Sequence, residues 1–373
     1  MTTLRVLLNV AAQRDYELHS LDFSTAFLQG SLHQEIWLRR PPGFTGSFPP
    51  GTQWSLRRPV YGLRKAPHEW HDTLRTTLAA LGFAPSTANP SLFLRTDISL
   101  PPFYILVYVD DLVFATADTT GLAHVKSKLQ KRHTCTDLGP SALRLHVLLA
   151  SGHSSVYSPL ALIAYPLSIL ARYVAPGRHR TEHMAAVKRV LRYLCSTSGL
   201  GPVLGGRRTM VLTGHADASW VDDLATQRSS QGYTFSLGSG FVSWQSTRSS
   251  SVLSSSCEAE IYAGAMAAQE LRWLTYLLTD LGEPPRSPPV LYVDNKAMLA
   301  LCREHKLEHR TKHIALRYFL ARELQQRGQL RLAYVASQAN SADIFTKALQ
   351  PCDHERFSTM LGLVPTWPHL LTS

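Results

Sequence analysis

The 373 residues carry 38 Lys and Arg against 27 Asp and Glu, a formal charge of +11, with 45% hydrophobic and 17% charged residues. That length predicts two or three domains with real cores, and the composition excludes a largely disordered or fibrous chain. The basic excess points to a polyanionic partner, either nucleic acid or an anionic membrane surface.

Cys135, Cys195, Cys257, Cys302 and Cys352 are odd in number, widely spaced and free of any CxxC pair. Neither a disulfide framework nor a cysteine zinc site is expected, and an intracellular, reducing compartment is. The apolar run Leu160 to Ala171 is broken by Pro166 and is too short to span a bilayer. MTTLRVLLNVAAQRDYELHS reads as an amphipathic helix rather than a signal peptide. No membrane partner is expected, which leaves nucleic acid.

In chain order, residues 4–14 predict a helix, and YELHSLDFSTAFLQG predicts a buried strand turning at Gly30. EIWLRRPPGF alternates until two prolines stop it, and a Pro, Gly and Ser loop runs on to Gly51. WHDTLRTTLAALGF predicts a helix; SLFLRT and PFYILVYVDDLVFAT predict strands, the latter bent into a hairpin at Asp110 and Asp111. A helix over DTTGLAHVKSKLQKRH follows, then the periodicity fails from Leu138 to Gly177. HMAAVKRVLRYLCS is a strong helix, and TMVLTGHADASW, SQGYTFSLGSGFVSW and SSVLSSS predict three strands. SCEAEIYAGAMAAQELRWLTYLLTDLG is a long helix with a Ser start and a Gly stop. PPVLYVDNKAMLALCREH passes from strand to helix at Asp294; HIALRYFLARELQQRG, LRLAYVAS and ANSADIFTKAL predict helix, strand and a last helix.

Acids inside apolar segments need an explanation, because adjacent buried carboxylates repel unless a cation neutralises them. Asp110 and Asp111 interrupt an apolar strand, and Asp22 ends another. A polar turn or helix cap is the plain account; a magnesium site that also bridges phosphates is the functional one. The second half repeats the theme. Asp217 interrupts a strand, Glu260 lies in the first turn of a helix, Asp294 ends a strand and Asp343 opens the final helix. Singly, each reads as a cap or a helix-start charge. Together, around one mixed sheet, they predict two magnesium ions poised for phosphodiester hydrolysis. Glu258, two residues from Glu260, faces away from such a site. His305, His309 and His313 recur every fourth residue among Arg303, Lys306, Arg310 and Lys312, and a surface so cationic favours a phosphate-facing or solvated helix over a zinc site.

LDFSTAFLQGSLHQEIWLRRPPGF, RPVYGLRKAPHEW, YVDD, HADASW, SSSCEAEIYA, VDNKA, HRTKHIALRY and SADIFTKAL resemble, in order and wording, the reverse transcriptase and ribonuclease H regions of copia-type LTR retrotransposon Pol polyproteins. The resemblance covers most of residues 3–350. It implies an α/β (α+β) chain: a partial palm with an antiparallel sheet and flanking helices, then a ribonuclease H-like domain with a mixed sheet. It makes Asp22, Asp110 and Asp111 look like palm carboxylates; Tyr61, Gly62 and Lys65 like the segment under template and nucleotide; and Asp217, Glu260, Asp294 and Asp343 like the ribonuclease H carboxylates. Arg310, Lys312 and His313 become nucleic-acid contacts. The implied cofactor is Mg2+, two per site, with Mn2+ as a substitute. The implied partners are an RNA template, a DNA primer, deoxynucleotides and an RNA/DNA hybrid.

Three departures shape the expectation. The sequence starts just before the first palm motif, the stretch from Leu138 to Leu167 is shorter than the family's, and Lys65 and Asn89 stand where the family usually has Gln and Asp. The expected organisation is a palm over 1–135, a shortened connection over 136–207, a ribonuclease H-like domain over 208–350 and a tail over 351–373. Hybrid-strand hydrolysis is the activity expected to outlast polymerisation; the alternative is an inactive remnant that only binds nucleic acid. Eight basic and two acidic residues fall in 136–207, so more than half of the net charge lies between the two acid groups.

Overall fold

The computed structural model describes the chain apart from residues 40–48, 50, 141–161, 175–179, 198, 203, 206–208, 224–225, 239, 304–319 and 366–373. Arg310, Lys312 and His313, with His305 and His309, therefore lie outside the described residues. Among those described, no helix is long and apolar enough to cross a membrane. Packing divides the chain into Asp15–Ala142 and a second unit of Met1–Arg14 with Leu143–Ser373.

Runs of β-branched and aromatic residues build the unit Asp15–Ala142. Its strands β1 (Glu17–Phe23), β4 (Phe83–Pro85), β5 (Leu92–Arg95), β6 (Phe103–Tyr108), β7 (Asp111–Thr116) and β8 (Cys135–Pro140) form one sheet in the order β4-β5-β6-β7-β1-β8. Every pairing in it is antiparallel. Strands β2 (Trp37–Leu38) and β3 (Trp54–Ser55) make a separate short ribbon. Helices α2 (Ala66–Ala79) and α3 (Thr119–Arg132) supply Trp70, Leu74, Leu122 and Leu129 to a core shared with Leu21, Phe23, Phe103, Ile105 and Phe114. Asp118 caps α3 by accepting the Gly121 N–H at 2.7 Å.

The second unit holds a five-stranded mixed sheet of β10 (Leu212–Asp223), β11 (Arg228–Leu237), β12 (Gly240–Arg248), β13 (Val290–Val293) and β14 (Arg331–Tyr334), ordered β12-β11-β10-β13-β14. β10, β11 and β12 are antiparallel neighbours, whereas β13 runs parallel to both β10 and β14. The long helix α6 (Ser256–Asp280) buries Ala263, Ala267, Leu271 and Leu274 against this unit. Ser255 starts it, accepting the Glu258 N–H at 3.1 Å, while Glu258 reaches back to the N–H and hydroxyl of Ser254 at 2.7 Å. Glu258 is thus occupied in capping, away from the acids described below. Helices α7 (Lys296–Arg303) and α8 (Leu320–Gln326) follow β13.

The architecture is the α/β arrangement expected, one antiparallel and one mixed sheet, but several elements differ. SQGYTFSLGSGFVSW is a hairpin rather than one strand, because Gly238 turns the chain with φ 61° between β11 and β12. SSVLSSS forms no strand, since its last serines serve to start α6. ANSADIFTKAL is not a full helix: Ser341–Phe345 make a 3-10 turn opened by Asn340, whose Oδ1 accepts the Ala342 N–H.

The expected boundaries also differ. β8 continues the first sheet to Pro140, past the expected edge at residue 135. α1 (Thr2–Arg14) belongs to the second unit, where Arg5 Nη1 donates to Val242 O and Asn9 Nδ2 to Leu237 O, both at 3.0 Å, and Val6, Leu7, Val10 and Ala11 are fully buried. Each buried Val or Leu contributes about 1.5–3 kcal/mol. Helices α4 (Ala164–Leu170) and α5 (Thr181–Ser196) lie in the expected connection, and the expected tail contains helix α9 (Pro351–Met360). Strand β15 (Leu363–Pro365) pairs with β9 (Leu200–Pro202), and Phe357, Leu361 and Leu363 join Leu162, Phe241, Ile344 and Phe345 in one apolar cluster. Residues Pro351–Pro365 thus belong with the second unit.

Candidate functional site

β10, α6 and β13 each bring one acid to a common point. Asp217 lies mid-way along β10, Glu260 in the second turn of α6, and Asp294 directly after β13, and each offers an oxygen within 4.8 Å of the others'. Asp217 and Glu260 are buried, at 1% and 6% exposure. A carboxylate that deep needs partners. Asp217 has them: Thr346 Oγ1 donates to its Oδ2, and Lys347 Nζ sits 3.1 Å from its Oδ1. Asp294 is held by Ser337 Oγ at 2.6 Å. Glu260 Oε2 is buried with no hydrogen-bond partner. Burial, followed by the negative charges of Asp217 and Asp294, holds the Glu260 carboxyl well above the usual range.

Asp343 enters this group through Lys347. It lies in the 3-10 turn, 7% exposed, with Lys347 Nζ 3.0 Å from its Oδ1. Burial and then Asp217 push its carboxyl up to about 7. Burial alone would lower the Lys347 ammonium, but Asp217 and Asp343 outweigh it and raise it. The turn is fixed from both ends: Asn340 Nδ2 donates to Ala216 O at 3.0 Å, and Ser246 Oγ donates to Phe345 O at 2.6 Å.

Gly232 permits this approach. It pairs with Asp217 across β10 and β11, and a Cβ there would stand 2.7 Å from Phe345 Cβ and 2.9 Å from Thr346 Cγ2. Real Cβ atoms do not come that near, so any side chain at 232 displaces the segment carrying Thr346 and Lys347. Sequence reasoning missed Thr346, Lys347, Ser337 and Asn340. The spacing of Asp343 and Lys347, four apart, was the one available signal.

In the first unit, Asp22 of β1 pairs in register with Asp111 of β7, and the Phe23 N–H donates to Asp110 O at 2.8 Å. Val109 and Asp110 form the two-residue turn between β6 and β7. Val109 holds φ 58°, a left-handed conformation costly for a β-branched residue, and Trp70 Nε1 pins its carbonyl at 2.7 Å. This turn, fixed by a buried tryptophan, places both acids at one end of the two central strands of the sheet. Among the described residues these three acids do not form a second set as tight as that of Asp217, Glu260 and Asp294.

Gly62 turns with φ 93° and Tyr61 is exposed with its ring 4.6 Å from that of Phe27. Lys65 Nζ donates to Gln34 Oε1 at 2.7 Å just ahead of α2. Asn89 uses its Oδ1 to accept the Ser91 N–H at 2.9 Å, a turn that Asp forms equally well.

The reverse transcriptase (RNA-dependent DNA polymerase) family matches residues 1–165. The Retrovirus-related Pol polyprotein from transposon RE2 of Arabidopsis thaliana is 32% identical over 98% of this chain and 29% of its own length. The corresponding polyprotein from transposon TNT 1-94 of Nicotiana tabacum is 27% identical over 97% of the chain and 32% of its own. The chain belongs to the Pol polyproteins of copia-type retrotransposons, with residues 1–165 in their reverse transcriptase region. It spans less than a third of the length of these curated relatives. A solved structure, the foamy viral protease-reverse transcriptase in complex with RNA/DNA hybrid, aligns with 90% of this chain and 45% of that chain at TM-score 0.49 and 16% identity.

Proposed function

We propose that this chain hydrolyses the RNA strand of RNA/DNA hybrids at Asp217, Glu260, Asp294 and Asp343, using two Mg2+ ions that Mn2+ can replace. One observation carries the reading: three acids from three elements meet within 4.8 Å, and one of them, Glu260, leaves a buried oxygen without a partner. Such a donor set fits a hard divalent cation. When bound, the ions supply the charge that lowers the pKa of the attacking water and stabilises the leaving oxygen. The chain's own groups orient the ligands: Thr346 fixes Asp217 and Ser337 fixes Asp294. Primer extension on an RNA template with deoxynucleotides is the second reading, supported by the facing positions of Asp22 and Asp111 beside the Asp110 turn. It would use the same kind of metal pair.

The test is incubation of the purified, folded chain with a labelled RNA/DNA hybrid in Mg2+. Cleavage of the RNA strand alone is expected, lost in Asp217→Asn and Asp294→Asn while hybrid binding stays within a few-fold. A folded chain that leaves the RNA intact, or an Asp217→Asn chain that still cuts, overturns the reading.

A further inference from the structure

We propose that the Lys347 ammonium is the resident second cation of this acidic site, so that the substrate-free chain binds one divalent ion there and a second enters only by displacing the lysine. The inference rests on the metal-centre reading above and concerns what fills the site before substrate arrives.

The geometry is that of a bridging cation. Lys347 Nζ stands 3.1 Å from Asp217 Oδ1 and 3.0 Å from Asp343 Oδ1, between the two carboxylates. The set whose oxygens lie within 4.8 Å comprises Asp217, Glu260 and Asp294, and Asp343 joins it through the lysine. Asp217 is shared between the two arrangements, so it would hold a divalent ion on one side and holds the ammonium on the other. Its other oxygen accepts from Thr346, adjacent to Lys347, so one two-residue step of chain supplies donors to both of its oxygens.

Charge balance points the same way. Four carboxylates in one pocket, two of them with a 7% or lower exposure on either side of the ammonium, require close to four positive charges when ionised. One divalent ion and one lysine leave a single negative charge. Two divalent ions balance the four acids without the lysine, and two ions with the lysine in place would put three cations on four acids at contact distance. The lysine and the second ion therefore compete for the Asp217 and Asp343 oxygens.

The experiment counts Mn2+ bound to the full substrate-free chain by electron paramagnetic resonance, in parent, Lys347→Met and Lys347→Gln. Any ion held by Asp22, Asp110 and Asp111 contributes equally to all three, so the difference is read. Each variant is expected to bind one ion more than the parent, or to tighten its weakest site at least tenfold, with an unchanged circular dichroism spectrum. Equal counts and affinities in parent and in a folded variant overturn the proposal. Asp217→Asn separates the two readings: it is expected to lose at least one ion from the parent count. If it loses none, the metal-centre reading falls, and this inference with it.

Discussion

Glu260 carries an unpartnered buried oxygen within the acid group. Its carboxyl is buried beside Asp217 and Asp294. In the metal-free chain that arrangement costs stability, because a desolvated acid facing two others resists ionisation. Glu260→Gln removes the repulsion and keeps the shape. It is expected to raise the metal-free thermal midpoint by about 2–4 °C, the shift that roughly 1 kcal/mol makes in a domain of this size. The same change removes a ligand. Parent protein gains about 2.7 kcal/mol when the ion is present at a hundred times its Kd, so added Mg2+ should raise the parent's midpoint and leave that of Glu260→Gln nearly unmoved. A variant less stable than the parent without metal, or equally stabilised by it, contradicts this account of the residue.

At the scale of elements, the close approach of the Ser341–Phe345 turn to β11 decides whether the acids stay assembled. Gly232→Ala puts a methyl into Phe345 and Thr346. Overpacking of that kind costs about 1–3 kcal/mol, and a displacement near 1 Å at a catalytic site lowers rates by about a hundredfold. Hybrid cleavage by Gly232→Ala should therefore fall 10- to 100-fold with little change in hybrid affinity, measured by single-turnover cleavage and fluorescence anisotropy. The end of β10 offers a second case. Asp223 accepts from Thr226 Oγ1 at 2.7 Å and Arg248 Nη1 at 2.8 Å, and faces Arg172 Nη1 at 3.2 Å; these partners, Thr226 first, hold its carboxyl down at about 2. An acid depressed in the folded state stabilises above its unfolded value near 3.9, and that contribution is lost as pH falls from about 4 towards 2. The urea midpoint should drop across this window in the parent and drop less steeply in Asp223→Asn. The sequence disclosed the acids on strand ends and helix starts because an ion site demands charge where apolar periodicity predicts burial. It did not disclose Lys347, since a single lysine looks solvated until the sheet brings Asp217 to it. Nor did it disclose the place of α1: periodicity shows that residues 4–14 form a helix and bury a face, and says nothing of which sheet receives it.

For the molecule as a whole, the question is where a charge of +11 acts. Residues 136–207 hold eight basic and two acidic residues, but they are not equivalent. Arg172 is engaged with Asp222 and Asp223, so its charge is internally balanced. Lys188, Arg189 and Arg192 are exposed on α5, and their spacing of three and four places them on neighbouring positions of one helix. A phosphate backbone crossing that helix releases condensed counterions, and the logarithm of the binding constant then falls with the logarithm of salt by about 0.7–0.9 per neutralised phosphate. Replacing all three by Gln should reduce that slope for an RNA/DNA hybrid by about 2–3, measured by anisotropy between 50 and 200 mM salt, and should weaken binding most at low salt. The acids of the Asp217 site are untouched, so cleavage at saturating hybrid should remain within a few-fold of the parent. An unchanged slope would assign the basic excess of this helix to solubility alone and move the phosphate track to another face.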